Sequence, residues 1–181
     1  MRISAAAVVV LLLGILSGPS LSGGAVSAQQ PPGDETLIEA AREIMESSHW
    51  AALVTLSESG APRARTMDPF PPDSQFVIWM GTNRLSRKVE EIKKDPRVLV
   101  YYQDPRGAGY VTITGSARLV NDPVEKERRW KSEWEAFYPD REETYLLIAV
   151  TPQRLEVVNY RAGVAGDSAT WGVPAVEFDR Q

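Results

Sequence analysis

The sequence predicts an α+β fold in which a curved antiparallel sheet forms a barrel with helices packed against it. Short apolar runs with strand periodicity are separated by turn residues, and helical patterns fall between groups of strands. The strand and helix alternation of a parallel sheet is missing, and no segment repeats. The predicted order is a helix, a hairpin, a strand, a short helix, two strands, a helix and two strands.

The first residues have the pattern of a secretory signal peptide. Arg2 precedes an apolar run that is too short to span a bilayer, which needs roughly 20 residues. The small residues Val26 and Ala28 suit cleavage after Ala28, and an uncleaved membrane anchor is the less favoured alternative. We therefore expect an exported protein, periplasmic or extracellular. The expected organisation is a signal peptide at 1–28, a polar leader at 29–35, one domain at 36–161 and a tail at 162–181.

Composition narrows the classes of function. The net charge of −4 disfavours nucleic acid and anionic lipid as partners. Because the chain has no cysteine, it has neither disulfides nor a cysteine nucleophile, and with one histidine a zinc site would depend almost entirely on carboxylates. That histidine, His49, lies between a predicted helix and a predicted strand, where a loop role is favoured over proton transfer or haem ligation.

The first half of the chain contains two predicted helices and three predicted strands. The first helix begins at Asp34 and ends near Ser47, because apolar residues recur there with helical spacing. The strands are predicted at 50–56, 62–67 and 76–80. The short second helix has Ser86 as its predicted N-cap and ends before Pro96.

The second half is predicted to be mostly strands. These lie at 98–102, 110–120, 145–150 and 155–160. Gly115 interrupts the second of them and indicates a barrel bend, and Pro152 separates the last two. Between the strands, Asp122 caps a helix with Pro123 at its first position, and this helix is predicted to run to about Phe137.

A cluster of hydroxyls and cations follows the third predicted strand. Thr82, Ser86, Arg87 and Lys88 surround the start of the short helix, where free backbone amides favour an anion such as phosphate. Arg65, on a strand expected to neighbour the third one, could reach the same phosphate with both guanidinium nitrogens. The alternative is a Ser-capped helix and a strand with ordinary solvated basic faces.

Several segments, taken in order, resemble one protein family. They are Leu53-Val54-Thr55-Leu56, Pro62-Arg63-Ala64-Arg65-Thr66-Met67, the stretch 79–82, Ser86-x-Lys88 and Asp95-Pro96-Arg97-Val98. Together they resemble the FMN-binding split barrels, the pyridoxamine 5'-phosphate oxidase-like proteins. The stretch 110–117, with Trp130, Trp134 and Phe137-Tyr138-Pro139, resembles the general stress protein subgroup. The likeness covers about 37–160 and implies an antiparallel split β-barrel with flanking helices.

The resemblance implies FMN as the cofactor and a homodimer with the flavin in the cleft between subunits. It places Arg65, Ser86 and Lys88 on the FMN phosphate, with Arg87 as an additional contact. It places Thr66, Met67, Gly81 and Thr82 beside the ring and the ribityl chain. Trp130 and Trp134 would face the partner or cover the cleft, unless they pack a core, as two tryptophans four residues apart on a helix usually do.

Two departures from the family pattern affect the expected activity. Asp68 stands where the pyridoxamine 5'-phosphate oxidases proper carry a lysine, and their C-terminal Trp and Arg segment is missing, so vitamin B6 oxidation is disfavoured. Gly81 stands where an aromatic residue would precede Thr82, which is expected to leave one side of the ring site open.

An FMN-dependent oxidoreductase is therefore the leading hypothesis for function. The alternatives are a non-enzymatic protein that binds flavin, deazaflavin or haem, and a ligand-free interaction module on the same fold.

Overall fold

A single curled antiparallel sheet forms the centre of the computed structural model, which describes residues 32–179. The predicted signal peptide lies outside these residues, and export stays a prediction. The helices are α1 Asp34–Ser47, α2 Arg87–Lys94, α3 Pro123–Arg128 and α4 Arg141–Thr144, with 3-10 turns at Ser132–Phe137 and Tyr160–Ala162. The strands are β1 Ala51–Leu56, β2 Pro62–Met67, β3 Ile78–Asn83, β4 Arg97–Gln103, β5 Tyr110–Val120, β6 Tyr145–Val158 and β7 Ala175–Glu177.

The strand order confirms the predicted fold class. The strands pair in the order β2-β1-β4-β5-β6-β3, and β7 adds to β6. Every pairing is antiparallel, and the chain just after β2 meets β3 through a bridge between Pro69 and Met80. The result is an α+β antiparallel split barrel. Arg65 was expected on a neighbour of the third strand. The strand itself, β2, pairs with β1, and the chain reaches β3 only through the bridge just after β2.

The sheet is buried on both faces along β6, because different elements cover each face. Ile148 and Val150 point into the main core, which α1 helps to close through residues such as Ile44. Tyr145 and Leu147 point the other way, into a second, aromatic cluster. Burial on both faces explains why this strand is a nearly continuous apolar run rather than an alternating one.

The chain at 145–158 forms one strand, where two strands separated by Pro152 were predicted. Pro152 lies opposite Gly115, where the register between β5 and β6 shifts. A Cβ atom on residue 115 would overlap the carbonyl oxygen of Thr151, so glycine allows the two backbones to approach. The predicted bend at Gly115 is therefore present as a bulge, and the strand continues through it.

The third strand begins later and ends later than predicted. Phe76 has a positive φ of 62° and lies in the turn before the strand, while pairing with β6 extends the strand to Asn83. Gly81 and Thr82 are consequently strand residues with fixed directions. The tail also differs from the prediction, since Ala175–Glu177 pairs with β6.

The helix predicted to run from Pro123 to Phe137 is interrupted after Arg128. Asp122 caps α3 as predicted, through its carboxylate and the amide of Glu125. The carbonyl of Arg129 then accepts a hydrogen bond from the Tyr145 hydroxyl, which competes with continued helical bonding, and the chain resumes as a 3-10 turn. No helix in residues 32–179 is long and apolar enough to cross a membrane.

Candidate functional site

A cavity of about 410 Å³ opens where β2 and β3 end, beside the start of α2 and the 3-10 turn Ser132–Phe137. Its volume lies within the range of small-molecule sites, about 300–1,000 Å³. It is lined by Trp50, Thr66, Met67, Asp68, Gly81, Thr82, Asn83, Lys88, Trp134, Phe137 and Tyr138. Five predicted site residues are therefore together at one cavity: Thr66, Met67, Gly81, Thr82 and Lys88.

One part of the cavity wall is polar and centres on Lys88. The Lys88 ammonium donates hydrogen bonds to Thr82 Oγ1 at 2.9 Å and to Ser86 Oγ at 3.1 Å. The two hydroxyls are 3.1 Å apart, so the three side chains form a closed group across the turn from β3 to α2. Ser86 occupies the predicted N-cap position, but its hydroxyl joins this group and makes no cap bond to the helix.

Lys88 carries a charge that no nearby carboxylate neutralises directly. Among the described residues, the ion pairs of the acidic side chains go to other cations, and Lys88 contacts hydroxyls. Burial lowers the pKa of Lys88, and Arg65 lowers it further, while Glu91 acts in the opposite direction. A partly desolvated ammonium near a second cation suits an anionic ligand, because the anion would compensate the ammonium charge that no carboxylate neutralises directly.

Arg65 is held behind this group by buried partners. Its guanidinium donates to the carbonyl of Leu53 at 3.2 Å, to Thr55 Oγ1 at 2.6 Å and to Glu91 Oε2 at 2.8 Å. The Glu91 side chain is only 6% exposed. Burial raises its pKa, but the hydrogen bonds from Thr55 and Arg65 and the charges of Arg65 and Arg87 together outweigh burial, so the pKa of Glu91 is lowered and the carboxylate stays charged.

Arg87 lies on the other side of Glu91, away from Lys88. Its Nε is 3.1 Å from Glu91 Oε1, and the Arg63 Nε is 3.7 Å from the same oxygen. Both arginines line a second cavity of about 460 Å³, which also includes Lys94. The predicted phosphate cluster is thus divided: Lys88 lies at the first cavity, Arg87 at the second, and Arg65 is bonded to the glutamate that Arg87 shares.

The opposite wall of the first cavity is aromatic and includes Trp134, which packs directly over Gly81. A Cβ atom on residue 81 would lie 2.5 Å from Cζ3 of Trp134 and 2.9 Å from Cε2 of Tyr145. The expectation that Gly81 leaves the ring site open on one side was therefore wrong, because a side chain from another segment fills that side. Trp134 also belongs to the aromatic core cluster, and Trp130 packs behind it.

Some residues of the candidate site were not identified from the sequence. Asp68 accepts a hydrogen bond from Trp134 Nε1 at 2.9 Å and one from the Lys131 ammonium, so it fixes the aromatic wall. One sequence feature could have indicated Glu91: it lies among the apolar residues of α2 and one helical turn, four residues, after Arg87. Trp50, 55% exposed at the cavity rim, carried no signal of its own.

His49 lies in the connection between α1 and β1, where the sequence placed it. It is exposed, and its ring meets the ring of Trp50 edge-on at 4.2 Å. Within residues 32–179, no group of three or more His, Asp or Glu side chains is arranged to hold a metal ion.

Comparison with known proteins agrees with this architecture. Residues 37–163 match the family described as pyridoxamine 5'-phosphate oxidase like. General stress protein 26 of Bacillus subtilis is 26% identical over 121 residues, which cover 65% of this chain and 84% of that protein.

Two solved structures show the same fold. One is a protein from Clostridium acetobutylicum related to general stress protein 26, with 23% identity and a TM-score of 0.65 over 81% of this chain and 96% of that one. The other is a haem-binding protein from Mycobacterium smegmatis, with 17% identity and a TM-score of 0.59 over 82% of this chain and 59% of that one. The family match spans more than half of the sequence, and the chain belongs to the pyridoxamine 5'-phosphate oxidase-like family.

Proposed function

We propose that this protein binds FMN in the first cavity and acts as a flavin-dependent oxidoreductase. The observation that carries the proposal is the arrangement of the Lys88 ammonium with the hydroxyls of Thr82 and Ser86. A partly buried ammonium, two hydroxyls and a nearby guanidinium meet at one end of a cavity whose other wall is aromatic. A ligand that complements both walls has an anionic end and a planar apolar end, which is the chemistry of FMN.

The residues have separate roles in this proposal. Lys88, Thr82 and Ser86 bind the phosphate, and Arg65 adds positive charge from behind while Glu91 and Thr55 hold it in place. Met67 and Trp134 exclude water from the ring. When bound, FMN supplies electron or hydride transfer, and the protein supplies its orientation and electrostatic environment.

One observation disfavours haem as the ligand. The single histidine is exposed and lies outside the lining of the first cavity, so it offers no buried axial ligand to haem. Deazaflavin shares the planar ring and an anionic tail, so it is the next ligand to titrate if neither FMN nor riboflavin binds. Asp68 is engaged with Trp134 and Lys131, so vitamin B6 oxidation is not part of the proposal.

The experiment is a titration of the purified protein with FMN and with riboflavin, which lacks the phosphate. We expect Lys88→Ala to weaken FMN about ten- to one-hundredfold, the range of a hydrogen bond to a charged group, and to leave riboflavin unchanged. Lys94→Ala is the matched control, because Lys94 is an exposed lysine of the same helix that pairs with Glu58. Binding of neither flavin by a folded protein would contradict the proposal and direct the search to deazaflavin, haem or a protein partner.

We also propose that the protein is a homodimer. The outward side chains of β1 are apolar and partly exposed, namely Ala52, Val54 and Leu56, where a solvated sheet face would normally be polar. Leu99 of β4 lies opposite Val54 and continues this face. Trp50 stands between it and the first cavity, so a second copy packed on the face would adjoin the flavin cleft.

A further inference from the structure

Gly81 and Trp134 pack against each other in the wall of the first cavity. They are far apart in sequence, yet the indole occupies the space that any side chain on residue 81 would need. The overlap involves Cζ3 of the six-membered ring at 2.5 Å, and Tyr145 blocks the same position at 2.9 Å. Such distances are well below van der Waals contact, so residue 81 has to be glycine for Trp134 to lie where it does.

Trp134 is fixed in this position by polar and aromatic contacts. Its Nε1 donates to Asp68 Oδ2 at 2.9 Å, and the second oxygen of Asp68 is bound by Lys131. Its ring packs against Phe70 at a centroid distance of 5.5 Å and against Tyr145 at 6.1 Å. Trp134 is only 7% exposed, although it lines the cavity. The exposed edge of the indole is therefore held in a fixed position at the cavity before a ligand binds.

We propose that Trp134, fixed by Asp68 and accommodated by Gly81, is the specificity-determining residue that selects a planar aromatic ring in this cavity. The inference rests on the proposed function and adds the element that recognises the ring. A flat ring gains contact area and favourable electrostatics against a fixed indole, whereas a phosphate compound without a ring gains nothing from it. Ring recognition and phosphate recognition thus reside in separate residues, Trp134 and Lys88.

The experiment compares three ligands, FMN, riboflavin and inorganic phosphate, on variants of the aromatic wall. Trp134→Leu is expected to weaken FMN and riboflavin by the same factor, about tenfold, and to leave phosphate binding unchanged. Gly81→Ala is expected to act in the same direction, because the new methyl group displaces the indole without removing it. Trp171→Phe is the matched control, because Trp171 is 82% exposed and lies outside the cavity lining.

A second pair of variants keeps the inference testable if Trp134→Leu does not fold. Trp134→Phe retains a ring but loses the bond to Asp68, and Asp68→Asn retains an acceptor but loses the charge that binds Lys131. Both are expected to weaken riboflavin relative to the unaltered protein, and to weaken it less than Gly81→Ala does. Melting curves of each variant establish that it is folded before titration.

The outcomes separate this inference from the proposed function. If the unaltered protein binds neither flavin, both fail. If it prefers FMN to riboflavin, and folded Trp134 and Gly81 variants bind riboflavin as tightly as it does, the inference alone is overturned. Equal loss of FMN and riboflavin, with the preference between them unchanged, supports it.

Discussion

At the scale of one residue, Lys88 is the centre of the proposed anion site. Its ammonium is partly buried, hydrogen-bonded to two hydroxyls and close to Arg65, and these surroundings lower its pKa. The charged form is therefore less favourable in the folded protein than in water, and a bound phosphate would reverse this by favouring the ammonium. Binding of an anionic ligand at this site would therefore be coupled to protonation of Lys88.

This coupling predicts how FMN binding depends on pH. The preference for FMN over riboflavin should be constant while Lys88 is protonated and should fall as the pH rises through its lowered pKa. The decline begins below the usual lysine value of about 10.4, and the phosphate stays dianionic from about pH 7 upward. Titrations of both flavins between about pH 7 and pH 10 measure it.

Lys88→Arg is the control for this dependence, because an arginine stays charged throughout that range. A preference that declines identically in both proteins would show that Lys88 is not the group responsible.

The residues of the candidate site show which of its contacts can be predicted from the sequence and which cannot. Thr82, Ser86 and Lys88 are close in sequence across a strand-to-helix turn, so their spacing alone indicated convergence. The partners of Arg65 could not be found this way, because Glu91 lies 26 residues away and is brought to it by the packing of α2 on the sheet. The Gly81–Trp134 contact depends on the interruption after α3, which no local pattern indicated.

At the scale of elements, β5 and β6 form the longest pairing of the barrel and approach each other closely at Gly115. The strand boundaries of β2 and β5 were predicted correctly, because turns and alternating side chains mark them. The continuity of β6 was not predicted, since Pro152 normally ends a strand. It is tolerated here because it lies at the bulge opposite Gly115, where the regular pairing is already interrupted.

Gly115→Ala should therefore destabilise the barrel strongly. Its methyl group would overlap the Thr151 carbonyl, which is backbone and cannot rotate away, and we expect a loss of about 2 kcal/mol or more in the free energy of unfolding. Chemical denaturation of both proteins measures the difference.

The matched control for this substitution is Gly107→Ala. A Cβ atom at residue 107 meets nothing within 4 Å, and its φ is not positive, so the change in stability should be within about 0.5 kcal/mol. Equal effects at the two glycines would contradict the close approach of β5 and β6.

At the scale of the whole molecule, the barrel leaves one sheet face with partly exposed apolar side chains. Buried and partly exposed residues alternate along β1, yet the residues on both faces of this strand are largely apolar. Leu99 of β4 continues the partly exposed apolar face. Helices cover the aromatic cluster and the main core, so the overall architecture follows from where the chain buries its apolar surface. The family resemblance gave this architecture, while the uncovered face becomes visible only in the assembled sheet.

A charge on this face should prevent self-association. We expect the unaltered protein to sediment as a dimer and Val54→Glu to sediment as a single chain, because burying the new carboxylate without a partner is unfavourable. Val124→Glu is the control, since Val124 is 63% exposed on α3 and lies outside the face. A single-chain species for the unaltered protein at every concentration would exclude the proposed dimer.

The most direct measurement of the central claim is a crystal structure of the protein with FMN. We predict phosphate oxygens within hydrogen-bond distance of Lys88 Nζ and the hydroxyls of Thr82 and Ser86, with the ring beside Trp134. A phosphate bound instead at the second cavity, between Arg63 and Arg87, would contradict the assignment of the site even if FMN binds tightly.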